Sequence, residues 1–262
     1  MKNLISVNYK FMDIAPKELL YRILKSKSIQ GIELGIDIYS GKQLKYLDDL
    51  VLEMKKTHLI LQIHGNSHID FDSQVKFLKK IEKYSEDLGY PIIVTLHSIY
   101  DIDQEMSLQK TREYLDNLLE QIDNNKLVIC LENLNDLGEM KRLKTEDIQP
   151  IILKNKGLYF TYDIGHELVD NKDAKSLNKE MIQKIRNVHL HTCNQSGKDH
   201  LPIYKDCNNW PSVLKKIIFL INNQYSYNFV YEYNLHDCQG NTITEKMDDY
   251  IKSIDFATAQ YL

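Results

Sequence analysis

Short hydrophobic runs recur along the chain, and most of their residues are β-branched or aromatic. There are eight such runs, and their sequences are LISVNY, GIELGI, LILQIH, PIIVTLH, KLVICLE, GLYFTYD, NVHLH and NFVYE. Runs of this length and composition are typical of strands that are buried on both faces of a sheet. We therefore predict eight β-strands.

Segments with the apolar period of a helix separate these runs. The apolar residues from Phe71 to Leu88, for example, share one helical face, and Gly89 suits the C-terminal stop. Pro16 suits the first turn of an earlier helix. The predicted helices begin near Pro16, span Lys42–Lys56, Phe71–Leu88, Leu108–Ile122, Glu146–Lys154 and Asp173–Ile185, begin again at Trp210, and finish with Thr242–Tyr261.

Strand and helix candidates alternate without a break, which indicates parallel βαβ units. Eight such units predict an α/β fold of the (β/α)8 TIM barrel type, and 262 residues suit one domain over positions 1–262. A doubly wound sheet is the alternative fold, but it needs a glycine-rich first turn. The segment SVNYKFMDIAP has no glycine, so the barrel is favoured.

Charge and cysteine content limit the class of protein. The formal net charge of −4 argues against a nucleic-acid partner, since neutralising phosphates needs clustered Lys and Arg. The four cysteines form no Cys-x-x-Cys pair, which favours a reduced, cytoplasmic setting. The N-terminus turns polar too early for a signal peptide, and no apolar stretch approaches a membrane helix. We expect a soluble cytoplasmic protein with no membrane partner.

Acidic and imidazole residues stand at the ends of the last six predicted strands. In chain order they are His64, His97, Glu132, Asp163, His189 and Glu232. Because the carboxyl ends of barrel strands meet at one mouth, we expect these side chains to converge. The three carboxylates with His189 suit a divalent ion, which would also offset their negative charge. His64 and His97 suit a second metal, substrate oxygens or hydrogen bonds at the rim.

Further candidates lie close to these strand ends. His166 is three residues beyond Asp163, which predicts a place in the first turn of the following loop, near the mouth. His191 has the side-chain parity of His189 and is predicted to support the ligands rather than to bind metal. His200 lies in the next loop. Glu33, inside the second strand, is predicted either to point into the mouth or to pair with a lysine.

The order and spacing of seven motifs resemble the xylose-isomerase-like TIM barrel superfamily, from GIEL through YEYN. The motifs are GIEL, LHS, LEN, DIGH, HLH, DHLPI and YE. This superfamily holds sugar isomerases and epimerases, related dehydratases and the DNA-repair enzyme endonuclease IV. The resemblance implies a divalent-metal-dependent isomerase or epimerase of a sugar, sugar phosphate or polyol, and it leaves a homo-oligomer open.

The epimerase branch implies one ion, Mn²⁺, Mg²⁺, Co²⁺ or Zn²⁺, held by Glu132, Asp163, His189 and Glu232, with no organic cofactor. Glu132 and Glu232 would then move protons on opposite faces of the carbon beside a metal-polarised carbonyl, through a metal-stabilised enediolate. His166 would contact a substrate oxygen. The same site could instead expel a β-hydroxyl from a cyclitol or a dehydroshikimate-like acid. A barrel that binds a metabolite without turnover is a further alternative.

Endonuclease IV implies three zinc ions and action on abasic DNA. His64, His97 and Glu132 would hold the first, with Glu132 bridging to a second at Asp163, His189 and Glu232. His166 and His200 would serve the third, with an aspartate two residues before His200. Lys198 occupies that position here, and the neighbouring Asp199 is out of phase, so the sequence predicts the isomerase or epimerase rather than the nuclease.

Overall fold

The computed structural model describes residues 1–8, 11–36, 41–65, 70–136, 138–170, 177–194, 197–204, 207 and 209–261. Eight strands, all parallel, pair in sequence order and close into a barrel, as predicted. They are β1 (Lys2–Val7), β2 (Gly31–Ile36), β3 (Ile60–Gly65), β4 (Ile92–Leu96), β5 (Leu127–Glu132), β6 (Leu158–Asp163), β7 (Ile185–Leu190) and β8 (Asn228–Tyr231). The protein is therefore a (β/α)8 TIM barrel.

Helices connect the strands on the outside of the barrel. They are α1 (Pro16–Ile23), α2 (Gly41–Met54), α3 (Phe71–Leu88), α4 (Gln104–Gln121), α5 (Thr145–Lys154), α6 (Ile164–Asp170), α7 (Lys179–Lys184), α8 (Trp210–Asn222) and α9 (Ile243–Thr258). No helix within these described ranges is both long and apolar enough to cross a membrane.

The connection from β6 to β7 differs from the prediction. The predicted helix Asp173–Ile185 is present only as α7, because Ile185 already pairs in β7, and residues 171–176 lie outside the described part of the chain. The short helix α6 was not predicted. It has seven residues, fewer than two helical turns, which is too short to show an apolar period. It also contains Gly165, and glycine has a low helix propensity.

Local chemistry defines several helix ends as the sequence indicated. Helix α1 begins at Pro16, whose missing N–H removes no intrahelical bond at that position. Gly89 ends α3 with φ 79°, and its N–H donates to the Ser85 carbonyl at 2.9 Å. Thr242 caps α9, because its hydroxyl accepts from the Glu245 N–H while the Glu245 carboxylate accepts from the Thr242 N–H.

The two faces of the barrel strands differ in polarity. Residues of one parity, such as Ile32 and Leu34 of β2, join the hydrophobic core beneath the helices. Residues of the other parity face the barrel interior, where Thr95 and Thr161 form a hydrogen bond of 2.8 Å between their hydroxyls. Most such barrels fill this space with branched apolar side chains. Here a buried polar layer lies directly beneath the mouth.

Candidate metal centre

The barrel brings together the six residues that the sequence placed at strand ends. His64 lies in β3, His97 follows β4, Glu132 and Asp163 end β5 and β6, His189 lies in β7, and Glu232 follows β8. Each of the last six strands therefore contributes a side chain to one mouth. The ligand atoms of His64, Glu132, His189 and Glu232 lie within 4.8 Å of one another.

Three carboxylates face one nitrogen of His189. Its Nδ1 is 2.8 Å from Oε1 of Glu132, 2.9 Å from Oε2 of Glu232 and 3.8 Å from Oδ2 of Asp163. One N–H cannot be donated to several carboxylates at once, and the contact of His189 with the buried Oε2 of Glu232 lacks hydrogen-bond geometry. Convergent acceptors without enough protons fit a divalent cation bound by oxygen and imidazole nitrogen.

The second oxygen of Glu132 faces two other imidazoles. Oε2 is 3.1 Å from Nε2 of His64 and 3.0 Å from Nε2 of His97, and those two nitrogens are 3.2 Å apart. Ligands about 2.0 Å from a tetrahedral zinc ion are separated by about 3.3 Å. The spacing of these three atoms therefore also fits a metal ion, with Glu132 shared between the two positions.

Burial and mutual contact shift the pKa values of these groups strongly. Burial alone would raise the pKa of Glu132, but His189, His64 and His97 outweigh it and hold this pKa well below its ordinary value. The pKa of Glu232 is likewise well below its ordinary value, because His189 outweighs burial. For His64, burial lowers the pKa, yet Glu132 prevails and raises it to about 9. The site thus favours ionised carboxylates.

Two neighbours hold Asp163 in place. The side chain of Asn133 donates to the Asp163 carbonyl at 2.9 Å and accepts from its N–H at 2.8 Å, which ties the end of β6 to the residue after β5. On the other side, Nε2 of His191 is 3.1 Å from Oδ1 of Asp163. Burial raises the pKa of Asp163, but His166 and His191 outweigh it and lower this pKa overall.

His191 has both ring nitrogens engaged. In the neutral ring, Nδ1 accepts the backbone N–H of His200 at 3.0 Å and the proton on Nε2 is donated to Asp163. Burial lowers the pKa of His191, but Asp163 raises it to about 9. The ring lies against Gly165, where an added Cβ would be 2.1 Å from Cε1 of His191. The supporting role of His191 stays a prediction.

His166 and His200 form a second group at the mouth. His166 lies in helix α6 rather than in a loop, and its Nδ1 donates to the Asn133 carbonyl at 3.1 Å. Its Nε2 is then 3.9 Å from Oδ2 of Asp199, and Nε2 of His200 is 4.0 Å from Oδ1 of the same carboxylate. The carboxylate of Asp199 thus lies near both rings at distances longer than hydrogen bonds, and its being out of phase for a metal site stays a prediction.

The backbone at His200 has an uncommon conformation. Its φ is 51°, in the left-handed region, so the chain does not continue as a regular strand between Asp199 and His200. Lys198, which occupies the position of the expected aspartate, instead forms an ion pair with Asp237. The ligand nitrogens of His166, His191 and His200 converge within 4.8 Å.

Glu33 also takes part in the mouth. It points into the barrel and lies 3.0 Å from Nε2 of His189. Within the described ranges, no lysine or arginine forms an ion pair with it, which favours the first of the two predicted alternatives. The guanidinium of Arg142, 5.5 Å from the Tyr100 ring centroid, was not predicted near the site. Burial lowers the pKa of Arg142, whereas Tyr100, Glu132 and Asp199 oppose this shift. Arg142 lies in an irregular segment whose sequence has no period from which to infer direction.

Comparison with known proteins is consistent with this architecture. The family model described as xylose isomerase-like TIM barrel matches residues 24–258. A comparison with curated proteins finds no significant match. The fold is similar to that of the IolI protein with a bound zinc atom, with TM-score 0.65 and 15% identity over 100% of this chain and 99% of that one.

Two other solved structures are similar to a comparable extent. The 3-keto-D-glucoside 4-epimerase of E. coli, in its apo form, has TM-score 0.66 and 16% identity over 99% of both chains. An AP endonuclease of family 2 from Brucella melitensis has TM-score 0.64 and 13% identity over 93% of this chain and 96% of that one. Identities this low indicate a shared fold and leave the activity to be argued from the site.

Proposed function

The chain belongs to the xylose isomerase-like TIM barrel family, and on this premise we propose that it is a divalent-metal-dependent isomerase or epimerase of a sugar or sugar phosphate. One observation carries the proposal. The carboxylates of Glu132 and Glu232 lie 2.8 and 2.9 Å from the same nitrogen of His189, so two acid–base groups flank one ligand position. The similar fold of a sugar 4-epimerase supports the same class.

We assign the metal to Glu132, Asp163, His189 and Glu232. Their buried oxygens and imidazole nitrogen suit Mn²⁺, Mg²⁺, Co²⁺ or Zn²⁺. The buried Oε2 of Glu232, which accepts no well-aligned hydrogen bond from the described residues, supports a cation at this position. The IolI protein, which has a similar fold, is described with a bound zinc atom. A bound divalent ion would polarise the substrate carbonyl and so acidify the neighbouring C–H.

The two glutamates would then exchange protons with the substrate. One carboxylate takes the proton from the carbon beside the carbonyl, and the electron pair of that bond moves into an enediolate. The other glutamate, entering as the acid, returns a proton to the opposite face, which inverts the centre. After one turnover the two carboxyl groups have exchanged protonation states, and exchange with solvent restores them. The depressed pKa values of both groups support the glutamate that enters as the base, whereas the glutamate that enters as the acid must take up a proton when the substrate binds.

The imidazoles at the mouth would position the substrate. We assign His166 to a substrate oxygen, because its Nε2 faces the mouth while Nδ1 is held by Asn133. His200 lies beside it, with ring centroids 5.3 Å apart. Both rings are fixed by backbone contacts and need little ordering when a polyol binds.

Solvent exchange tests this function directly. The protein, loaded with Mn²⁺ or Co²⁺, is incubated in D2O with a panel of ketoses, aldoses and their phosphates. We expect deuterium at the carbon beside the carbonyl, measured by mass spectrometry. Glu132→Gln and Glu232→Gln should lower the exchange rate by about 10²–10⁴-fold, with modest loss of folding stability, since each removes one acid–base group.

The control for these variants is Glu120→Gln, on the exposed side of α4, which should exchange as the wild type does. If either active-site variant keeps near-normal exchange, the two-base mechanism is wrong. No exchange on any sugar of the panel would count against the isomerase class as a whole.

A second candidate function is a metal-dependent phosphodiesterase acting on abasic DNA. The observation that favours it is the position of Asp199, whose carboxylate faces both His166 and His200. Together with the cluster of His64, His97 and Glu132, this arrangement supports more than one metal position. The formal net charge of −4 weighs against the DNA partner.

Metal content distinguishes the two functions. About one ion per chain, counted by plasma mass spectrometry in protein purified without chelator or histidine tag, supports the isomerase or epimerase. Two or three zinc ions per chain would direct the next assay to incision of a duplex with an abasic site. His200→Ala should abolish such incision, but should alter only substrate affinity in a sugar epimerase.

A further inference from the structure

The imidazole of His189 bridges acidic groups on both of its sides. Its Nδ1 faces Glu132 and Glu232, as described above. Its Nε2 lies 3.0 Å from Oε1 and 3.2 Å from Oε2 of Glu33, which reaches it from β2. Glu33 and His189 are 156 positions apart in the chain, and both side chains have 0% exposure. Glu33 therefore lies on the side of the ring opposite the proposed metal ligands.

Binding of a cation at Nδ1 requires a free lone pair on that atom. A neutral imidazole has one proton, so this proton must then lie on Nε2, where it needs an acceptor. An ionised carboxylate accepts hydrogen bonds and donates none. The carboxylate of Glu33 is the acidic group nearest to Nε2 of His189. A carboxylate behind a ligating histidine fixes both the tautomer and the ring orientation.

Asn187 makes the role of Glu33 specific. Its Nδ2 donates to Oε2 of Glu33 at 2.8 Å and lies 3.2 Å from Nε2 of His189. Without the Glu33 acceptor, this amide would be free to donate to Nε2. The ring proton would then move to Nδ1, where it would oppose a cation. Glu33 thus orients both the amide and the imidazole.

We propose that Glu33 is a positioning residue that keeps the proton of His189 on Nε2 and leaves Nδ1 available to a divalent cation. The proposal rests on the metal-binding part of the proposed function and adds a residue outside the ligand set. Nothing in it depends on which sugar is converted.

Metal affinity is the measurement that tests this role. The full chain is stripped with chelator and titrated with Co²⁺, whose visible absorption reports the ligand field. We expect Glu33→Gln to weaken Co²⁺ binding by about 10–100-fold, the usual effect of losing such a supporting carboxylate. In the chelator-treated proteins, the ¹⁵N shifts of labelled His189 should show less protonation of Nε2 in Glu33→Gln than in the wild type.

A carboxylate swap provides the rescue. In Glu33→Gln combined with Asn187→Asp, a carboxylate again lies beside Nε2 but comes from β7 rather than β2. We expect this double variant to recover most of the wild-type affinity. Gln62→Met is the matched control, because Gln62 pairs in register with Glu33 and is buried, yet no described bond joins it to His189. It should leave Co²⁺ affinity unchanged.

The outcomes separate this proposal from the function on which it rests. If wild-type protein binds Co²⁺ and folded Glu33→Gln binds it within about twofold, with the same absorption spectrum, Glu33 has no positioning role. If Glu33→Gln does not fold, as judged by circular dichroism, the double variant decides, since weak binding by a folded swap would overturn the proposal. If wild-type protein binds no Co²⁺, both the proposed metal centre and the proposed role of Glu33 are wrong.

Discussion

Gly165 shows how closely the side chains at the mouth are packed. A Cβ at this position would lie 2.1 Å from Cε1 and 2.3 Å from Nδ1 of the His191 ring. That ring in turn contacts Asp163 at 3.1 Å. At the scale of single residues, the glycine of the DIGH motif is therefore required by the space that His191 occupies, and not by a turn conformation.

Gly165→Ala should accordingly displace His191 from Asp163. We expect a loss of about 1–3 kcal/mol in the free energy of unfolding, because the neighbouring ring is buried and has little room to move. Divalent-metal affinity should fall as well, since Asp163 loses a hydrogen bond. Denaturant unfolding and Co²⁺ titration measure the two effects. Gly41→Ala is the control, because a Cβ there meets no atom within 4 Å. Equal unfolding midpoints for both variants would contradict this account.

At the scale of elements, alternate residues of each strand face opposite sides, one towards the helices and one towards the barrel interior. In β2, Ile32 and Leu34 face the helices, whereas Glu33 between them faces the barrel interior. The same parity places Thr161 two residues before Asp163 and Asn187 two residues before His189. The polar residues of the barrel interior therefore recur at every second position of the strands. Applied to β2, this period of two places Glu33 on the interior face, below the metal ligands.

Helix α9 contributes stability without contributing a side chain to the site. Thr242→Ala should remove the N-terminal cap of α9 and lower the free energy of unfolding by about 1 kcal/mol. Because Thr242 lies outside every group that converges at the mouth, metal affinity should not change. The two quantities are measured by urea denaturation and Co²⁺ titration. A variant with unchanged stability would show that the reciprocal bonds of Thr242 and Glu245 contribute little.

At the scale of the whole molecule, the barrel collects buried histidines and carboxylates from distant parts of the chain. In the metal-free protein, their mutual contacts raise the pKa of His64 and of His191 from the ordinary 6.5 to about 9. A pKa raised in the folded state stabilises the protein fully below pH 6.5, and this stabilisation is lost as the pH rises towards 9.

We therefore expect opposite pH trends for folding and for metal binding. Between pH 6.5 and 9, the chelator-treated protein should lose stability, as measured by its denaturation midpoint. Over the same range, Co²⁺ affinity should rise by about tenfold per pH unit for each imidazole proton displaced. His64→Gln should flatten part of the stability decline. A midpoint that rises with pH in the metal-free protein would contradict the shifted pKa values.

Most of the architecture and much of the candidate site followed from local pattern. Six strand ends carried Glu, Asp or His, and a parallel barrel brings such ends to one mouth regardless of the loops. The position of Asp199 near His166 and His200 could not be inferred from spacing, because His200 has left-handed backbone geometry that no period reveals. Helix α6 and Arg142 were missed for a similar reason, since each lies where the pattern is too short or absent.

The sequence by itself determined the order of strands, the parity of their side chains and the set of residues at the mouth, because these follow from short-range periodicity. Tertiary structure alone decided which atoms meet. Oε1 of Glu132 contacts His189 while its Oε2 contacts His64, and Glu33 contacts the opposite side of the His189 ring. Such contacts depend on the register between strands and on rotamers selected by packing. Neither quantity is encoded within any single stretch of the chain.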